Sequence, residues 1–166
     1  MHPEFAETTD GRKIFYWNLD GAVGLNGKNS FDDVLFVQWC MYKASKWPGI
    51  DHLAQIEDFD TKGKTLRGAF ARVNINGRCS GLKDDPLLDQ INLLQALTQG
   101  PMDGRVNPIQ GSARYTGLGG IRYVYLVIWL NNILKQVHPK EYPRLDLMPE
   151  FAFQLGPQVK PVFWED

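Results

Sequence analysis

The chain has 166 residues, of which 43% are hydrophobic and 22% are charged, and its formal net charge is −1. This length suits a single domain with its own hydrophobic core, and the composition is ordinary for a globular protein. A charge so close to zero gives no general attraction to nucleic acid or to an anionic membrane, so we expect neither as a partner.

The chain starts with a polar segment that has no apolar run of the kind a secretory signal needs. We therefore expect a protein that is cytoplasmic as synthesised and that reaches the periplasm, if at all, by a leaderless route. Residues 1–13 are interpreted as a loosely held lead-in, and residues 14–19 as a short strand or extended segment. The most apolar stretch, 123–130, is too short to cross a bilayer, so no membrane insertion is expected.

Residues 20–24 (DGAVG) are the first of three short glycine turns, and a predicted helix follows them. Asn29 or Ser30 fits the N-cap position, and apolar residues recur beyond it at helical spacing. The helix is predicted to end near Trp47, because a Pro-Gly pair comes next.

Residues 76–81 (NGRCSG) are the second turn, and a second helix is predicted to start at Pro86 with Asp84 or Asp85 as its cap. Between the two units, residues 48–72 are interpreted as an excursion. Within it, we expect a short helix over 52–59 and strand character over 69–75.

Residues 103–108 (DGRVNP) are the third turn, and a loop leads from it to the longest predicted helix, 121–137. That helix is apolar over much of its circumference, so we expect it at the centre of the fold. Residues 143–166 contain prolines and aromatic residues and are interpreted as an extended tail.

The turn–helix unit repeats with nearly constant spacing, since Gly21 precedes Gln38 by almost the same interval as Gly77 precedes Gln95. In this repeat the chain resembles the peptidoglycan-binding-domain-like family. That family is a small three-helix fold with repeated Asp-Gly turns and helices that carry Leu-Gln or Phe-Gln pairs. The resemblance covers about residues 18–135 and includes a Leu-Asn pair at Leu130. The second turn departs from the pattern with Asn76 in place of Asp, and the usual helix-starting Thr is absent.

The resemblance implies a mainly α single domain, 1–166. Its three-helix core of turn–helix repeats lies within 14–142, with the irregular excursion at 48–72 and the extended tail at 143–166. The motif itself has a local physical role: the Asp or Asn accepts hydrogen bonds from its turn, and the Gly supplies the left-handed residue. The Gln is predicted to satisfy backbone groups of a neighbouring turn.

The function implied by the resemblance is non-catalytic binding of peptidoglycan, the cell-wall glycopeptide, in a bacterial secretion or phage setting. A glycan site needs an aromatic ring with amide or guanidinium donors. The candidate ligand-binding residues are Trp17, Asp103, Arg105, Arg114 and Tyr115. Trp17 has core packing as its alternative role, and Arg105 has hydrogen bonding to carbonyl groups.

The main alternative is a protein–protein adaptor, chaperone or immunity-type partner on the same scaffold, binding a secreted effector or spike protein such as those of type VI secretion. In that hypothesis the tail docks the partner.

A third hypothesis is a cysteine-dependent cell-wall amidase in which Cys40 pairs with His52 or His138. Because Cys40 falls within an apolar helical stretch and not at a helix N-terminus, we predict that the chain is not an enzyme. The acids Glu57, Asp58 and Asp60 are interpreted as a solvated surface. Cys40 and Cys79 are two free thiols or one disulfide, and no cofactor or metal is expected.

Overall fold

The computed structural model describes residues 1–8, 10–50, 66–97, 102–110, 114–115, 126–142 and 144–147. Its helices are α1 (Phe31–Ala44), α2 (Leu66–Ala71), α3 (Pro86–Leu97) and α4 (Leu126–Val137), with a 3-10 turn at Leu145–Leu147. Its strands are β1 (His2–Thr8), β2 (Lys13–Asn18), β3 (Val23–Gly24), β4 (Arg105–Val106) and β5 (Arg114–Tyr115).

The strands form two small sheets. In the larger sheet the order is β2-β1-β5, with β1 antiparallel to β2, from His2 opposite Asn18 to Glu7 opposite Lys13. β5 runs parallel to the far end of β1. β3 and β4 form a separate antiparallel pair. The prediction of a mainly α fold is therefore wrong, and the domain is a mixed α and β structure.

The segment 1–13, interpreted as a loose lead-in, is the main source of that error, because residues 2–8 form a paired strand. The segment His2–Thr8 has no alternation of apolar and polar residues that would predict a strand. Its partner β2 is a run of apolar and aromatic residues in which Tyr16 and Trp17 are buried in the core, and the strand expected near 14–19 is confirmed. β1 forms because β2 offers it a ladder of hydrogen bonds.

The core is built around α1, most of whose apolar side chains are fully or almost fully buried. They are Val34, Leu35, Phe36, Val37, Trp39, Cys40, Met41 and Ala44. α4 buries one face and exposes Asn132, Lys135 and Gln136 on the other. The expectation that the helix of residues 121–137 is the central one is therefore wrong, because α1 is enclosed on more sides than α4.

Asn131 joins α4 to the edge of β2. Its side-chain oxygen accepts the Trp17 N–H at 2.7 Å, and its amide donates to the Trp17 carbonyl at 2.9 Å and to the Val127 carbonyl at 2.7 Å. The Tyr142 hydroxyl donates to the same oxygen at 3.0 Å. The side chain thus substitutes for a neighbouring strand and closes an edge that would otherwise be open.

Of the remaining predicted helices and strands, some are confirmed and others are wrong. α3 begins at Pro86 and is capped by Asp85, as expected, since the Leu87 N–H donates to the Asp85 carboxylate at 2.9 Å. The strand character expected over 69–75 is wrong, because α2 includes residues 69–71 and packs against α1, and residues 72–75 form no strand. The predicted helix 52–59, its acidic residues and nearly all of the tail lie outside the described residues.

Candidate functional site

The three glycine turns meet at one end of the domain. The Leu25 N–H, just after the first turn, donates to the Gly104 carbonyl at 2.9 Å. The Asn26 N–H donates to the Gly81 carbonyl at 3.0 Å, and β3 pairs with β4 beside them. Segments distant in sequence are thereby fixed as one rigid surface.

The second turn is held by Gln38 of α1. The Gln38 side-chain oxygen accepts the N–H groups of Asn76, at 3.1 Å, and Gly77, at 2.8 Å. Its amide donates to the Asn76 side-chain oxygen and to the Arg78 carbonyl, both at 3.1 Å. The Asn76 oxygen also accepts the Arg78 N–H at 2.9 Å, and Gly77 adopts a φ of +70°.

The third turn is held in the same way by Gln95 of α3. Its oxygen accepts the Gly104 N–H at 2.9 Å, and its amide donates to Asp103 Oδ1 at 2.6 Å and to the Arg105 carbonyl at 2.9 Å. Gly104 has a φ of +69°. The predicted role of the two glutamines is thus confirmed: each binds the backbone of the next glycine turn.

The first turn is held differently. The buried carboxylate of Asp33 accepts the N–H groups of Asp20, at 3.1 Å, and Gly21, at 3.0 Å, and the Met1 ammonium lies 2.8 Å from it. Asp20 points its carboxylate at Met1 and His2, so it does not bond its own turn as the motif predicts.

A groove of about 770 Å³ opens beside the second turn. Its walls come from the start of α1, the end of α2, the turn itself and the start of α3. The lining residues are Asn29, Phe31, Gln38, Arg72, Val73, Asn74, Asn76, Gly77, Arg78, Cys79, Ser80, Asp85, Pro86, Leu87 and Gln90.

The groove combines one aromatic ring with amide and guanidinium groups. Phe31 is 50% exposed although it is the first residue of α1. Part of its ring lies against Gly77, where an added Cβ would come within 2.3 Å of the ring. Arg72, Asn74 and Arg78 are exposed along the same groove, and neither arginine forms an ion pair within the described part of the chain.

Asp85, the acidic residue of the groove, accepts hydrogen bonds from the protein backbone. Burial acts to raise the pKa of Asp85, but hydrogen bonds from the backbone N–H groups of Ser80 and Leu87 outweigh it and lower that pKa. The Ser80 N–H lies 2.7 Å from the carboxylate. Burial, with the nearby Asp85 charge, raises the pKa of the Cys79 thiol, so Cys79 is protonated at neutral pH.

Three of the residues predicted as ligand-binding, Trp17, Asp103 and Arg105, are not among the residues that line this groove. Trp17 is 0% exposed and packs in the core, so its ring offers no surface to a ligand in this structure. Asp103 accepts the Arg105 N–H at 3.0 Å within the third turn. Arg105 is half-buried, and its Nε has no hydrogen-bond partner among the described residues. The backbone of Arg114 and Tyr115 forms β5, and their side chains lie outside the description.

The sequence did contain a signal for Arg78. It follows Asn76-Gly77 as Arg105 follows Asp103-Gly104, so the reasoning that selected Arg105 applies equally to it. Phe31 and Arg72 had no such signal, because only the packing of α1 and α2 around the second turn brings them to the groove.

Of the residues in the enzyme hypothesis, the structure describes Cys40 and His138. Cys40 is fully buried, and this burial raises its pKa well above the ordinary value. His138 stacks on Trp39, and His52 lies outside the described residues. Both cysteines are free thiols. Over the described ranges, no cluster of three metal-binding side chains occurs and no helix is long and apolar enough to cross a membrane.

Comparison of the chain with protein-family models, with curated proteins and with solved structures found no match.

Proposed function

We propose that the chain is a non-catalytic binding module of the peptidoglycan-binding type, and that its ligand lies in the groove beside the second glycine turn. The observation that carries this proposal is the composition of the groove: an exposed aromatic ring, exposed amide groups, and the guanidinium groups of Arg72 and Arg78, which form no ion pair within the described part of the chain. The repeated turn–helix unit that resembles the peptidoglycan-binding-domain-like family supports the choice of ligand.

The size and rigidity of the groove suit a glycopeptide. A volume of about 770 Å³ lies within the range of ordinary ligand sites. Gln38 makes four hydrogen bonds to the turn, so Asn76 and Arg78 are held in place before a ligand arrives. A ligand therefore does not have to order the loop, and this lowers the free-energy cost of binding.

The chemistry of the groove matches the parts of a muropeptide. The exposed part of the Phe31 ring can contact the apolar face of a sugar, and Asn74 can hydrogen-bond an acetamido group or a peptide unit. The arginines can bind carboxylates. The groove thiol, Cys79, has a raised pKa, which favours a binding role over nucleophilic catalysis at this position.

The test is co-sedimentation with purified insoluble peptidoglycan sacculi. Wild-type protein should appear in the pellet, and Phe31→Ala should bind about 3- to 10-fold more weakly, as expected for the loss of one aromatic contact. Phe5→Ala is the matched control, because Phe5 is 48% exposed and lies in the larger sheet outside the groove.

Wild-type protein that stays in the supernatant would refute peptidoglycan binding and would leave the adaptor hypothesis as the one to pursue. Equal loss of binding in Phe31→Ala and Phe5→Ala would show that the groove is not the site.

A further inference from the structure

We infer that the groove recognises the carboxylate groups of the peptide part of its ligand, and that Arg72 and Arg78 select a carboxylated peptide over a neutral sugar. This inference rests on the proposed function and assigns a ligand class to the same groove.

The charge of the groove differs in sign from that of the chain. The charged residues lining it are Arg72, Arg78 and Asp85, a sum of +1, whereas the whole chain has a net charge of −1. A positive groove on a slightly acidic protein attracts anions locally without making the whole surface basic.

Asp85, the negatively charged residue of the groove, forms hydrogen bonds that stabilise the fold. The Asp85 carboxylate accepts the N–H groups of Ser80, at 2.7 Å, and Leu87, at 2.9 Å, and so caps α3. It forms no ion pair with either arginine of the groove. Among the described residues neither guanidinium group has an ion-pair partner, and arginine forms paired charge-assisted hydrogen bonds with a carboxylate.

Hydrogen bonds hold the backbone of Arg78 at both its N–H and its carbonyl group. Its N–H donates to Asn76 at 2.9 Å, and its carbonyl accepts from Gln38 at 3.1 Å. The side chain therefore starts from one defined position at the groove, while Arg72 approaches from the end of α2. Two cations from separate segments that line one groove suit an anionic ligand.

A sugar chain is a poorer fit as the main determinant. Phe31 is the single aromatic side chain lining the described groove, and part of its ring is covered by Gly77. One partly covered ring does little to orient a sugar, whereas a paired arginine–carboxylate hydrogen bond adds geometric specificity.

The test compares three soluble probes by NMR titration of the full chain. They are a stem pentapeptide ending in D-Ala-D-Ala as the free acid, the same peptide with its carboxylates amidated, and N,N′,N″,N‴-tetraacetylchitotetraose. The free acid should bind at least tenfold more tightly than the other two, and its affinity should fall as salt is raised.

Arg72→Gln and Arg78→Gln should each weaken binding of the free acid by about tenfold. Lys135→Gln, which removes an exposed cation on α4, should leave it unchanged. Both arginine side chains are exposed, so circular dichroism should show that the variants keep their fold.

The inference is overturned if the amidated peptide or the chitotetraose binds as tightly as the free acid, if no peptide binds at millimolar concentration, or if Lys135→Gln weakens binding as much as the arginine variants. Sacculus binding that survives any of these results would leave the proposed function standing. Failure of the wild-type protein to bind sacculi would refute the proposed function first.

Discussion

The glutamine that holds the third turn provides the sharpest stability prediction. Gln95 is almost fully buried at the end of α3 and makes three hydrogen bonds to the third turn: it accepts from the Gly104 N–H and donates to Asp103 and to the Arg105 carbonyl. Gln95→Met keeps the length and approximate volume of the side chain and removes all three. The substitution therefore isolates the polar contribution from packing.

The expected loss of stability follows from the polar groups that Gln95→Met leaves without a hydrogen-bond partner. The Gly104 N–H is buried, and an unsatisfied buried donor costs about 1–3 kcal/mol. The bond to Asp103 is charge-assisted, but Asp103 is exposed and regains water, so its loss contributes about 1 kcal/mol. We expect Gln95→Met to lower the free energy of unfolding by about 2–4 kcal/mol.

The assay is urea unfolding followed by tryptophan fluorescence, with the slope against urea checked for constancy. Gln136→Met is the matched control, because Gln136 lies exposed on α4. A double-mutant cycle with Asp103→Ala should give a coupling energy of about 0.5–3 kcal/mol. Destabilisation by Gln95→Met below about 1 kcal/mol, or equal to that of the control, would refute the view that these hydrogen bonds fix the turn.

Two further predictions concern other polar groups of the scaffold. Asn131→Leu should destabilise the fold by about 2–4 kcal/mol, because it leaves the buried Trp17 N–H without its acceptor, and Asn132→Leu on the exposed side of α4 should have little effect in the same urea assay. The pKa of Asp85 is lowered in the folded state, so its carboxylate stabilises the fold above its unfolded pKa of about 4, and this contribution is lost as the pH falls through the lower folded value. Asp85→Asn should therefore reduce the loss of stability between pH 7 and pH 3, and an unchanged acid dependence would contradict this reasoning.

Local sequence signals predicted several helices and their ends. Ser30 lies at the N-cap of α1, and Pro86 starts α3 behind the capping carboxylate of Asp85. These features depend on residues close together in the chain, because a cap needs only the first turn of its own helix. The periodic apolar residues that follow each cap fix which face turns inward.

The larger sheet was not predicted, because the segments that stabilise it lie far apart in the sequence. β1 has a polar sequence without strand periodicity, and it is ordered by hydrogen bonds to β2. The edge of β2 is completed in turn by Asn131, more than a hundred residues away. Backbone pairing between distant segments leaves little trace in either sequence, since most residues can donate and accept the same bonds.

The candidate site also has a part that local sequence predicts and a part that depends on packing. The repeat of a helical glutamine followed by an Asp-Gly or Asn-Gly turn is predictable from local sequence, because this unit satisfies its own backbone groups and needs fixed residue types. The groove beside the second turn depends on how the helices pack around that turn. Phe31 and Arg72 reach that groove because α1 and α2 pack around the second turn, whereas Trp17, an equally plausible aromatic ligand residue, is enclosed by the core. Burial of a side chain depends on every element around it, so the composition of a groove follows from packing and not from the motif that borders it.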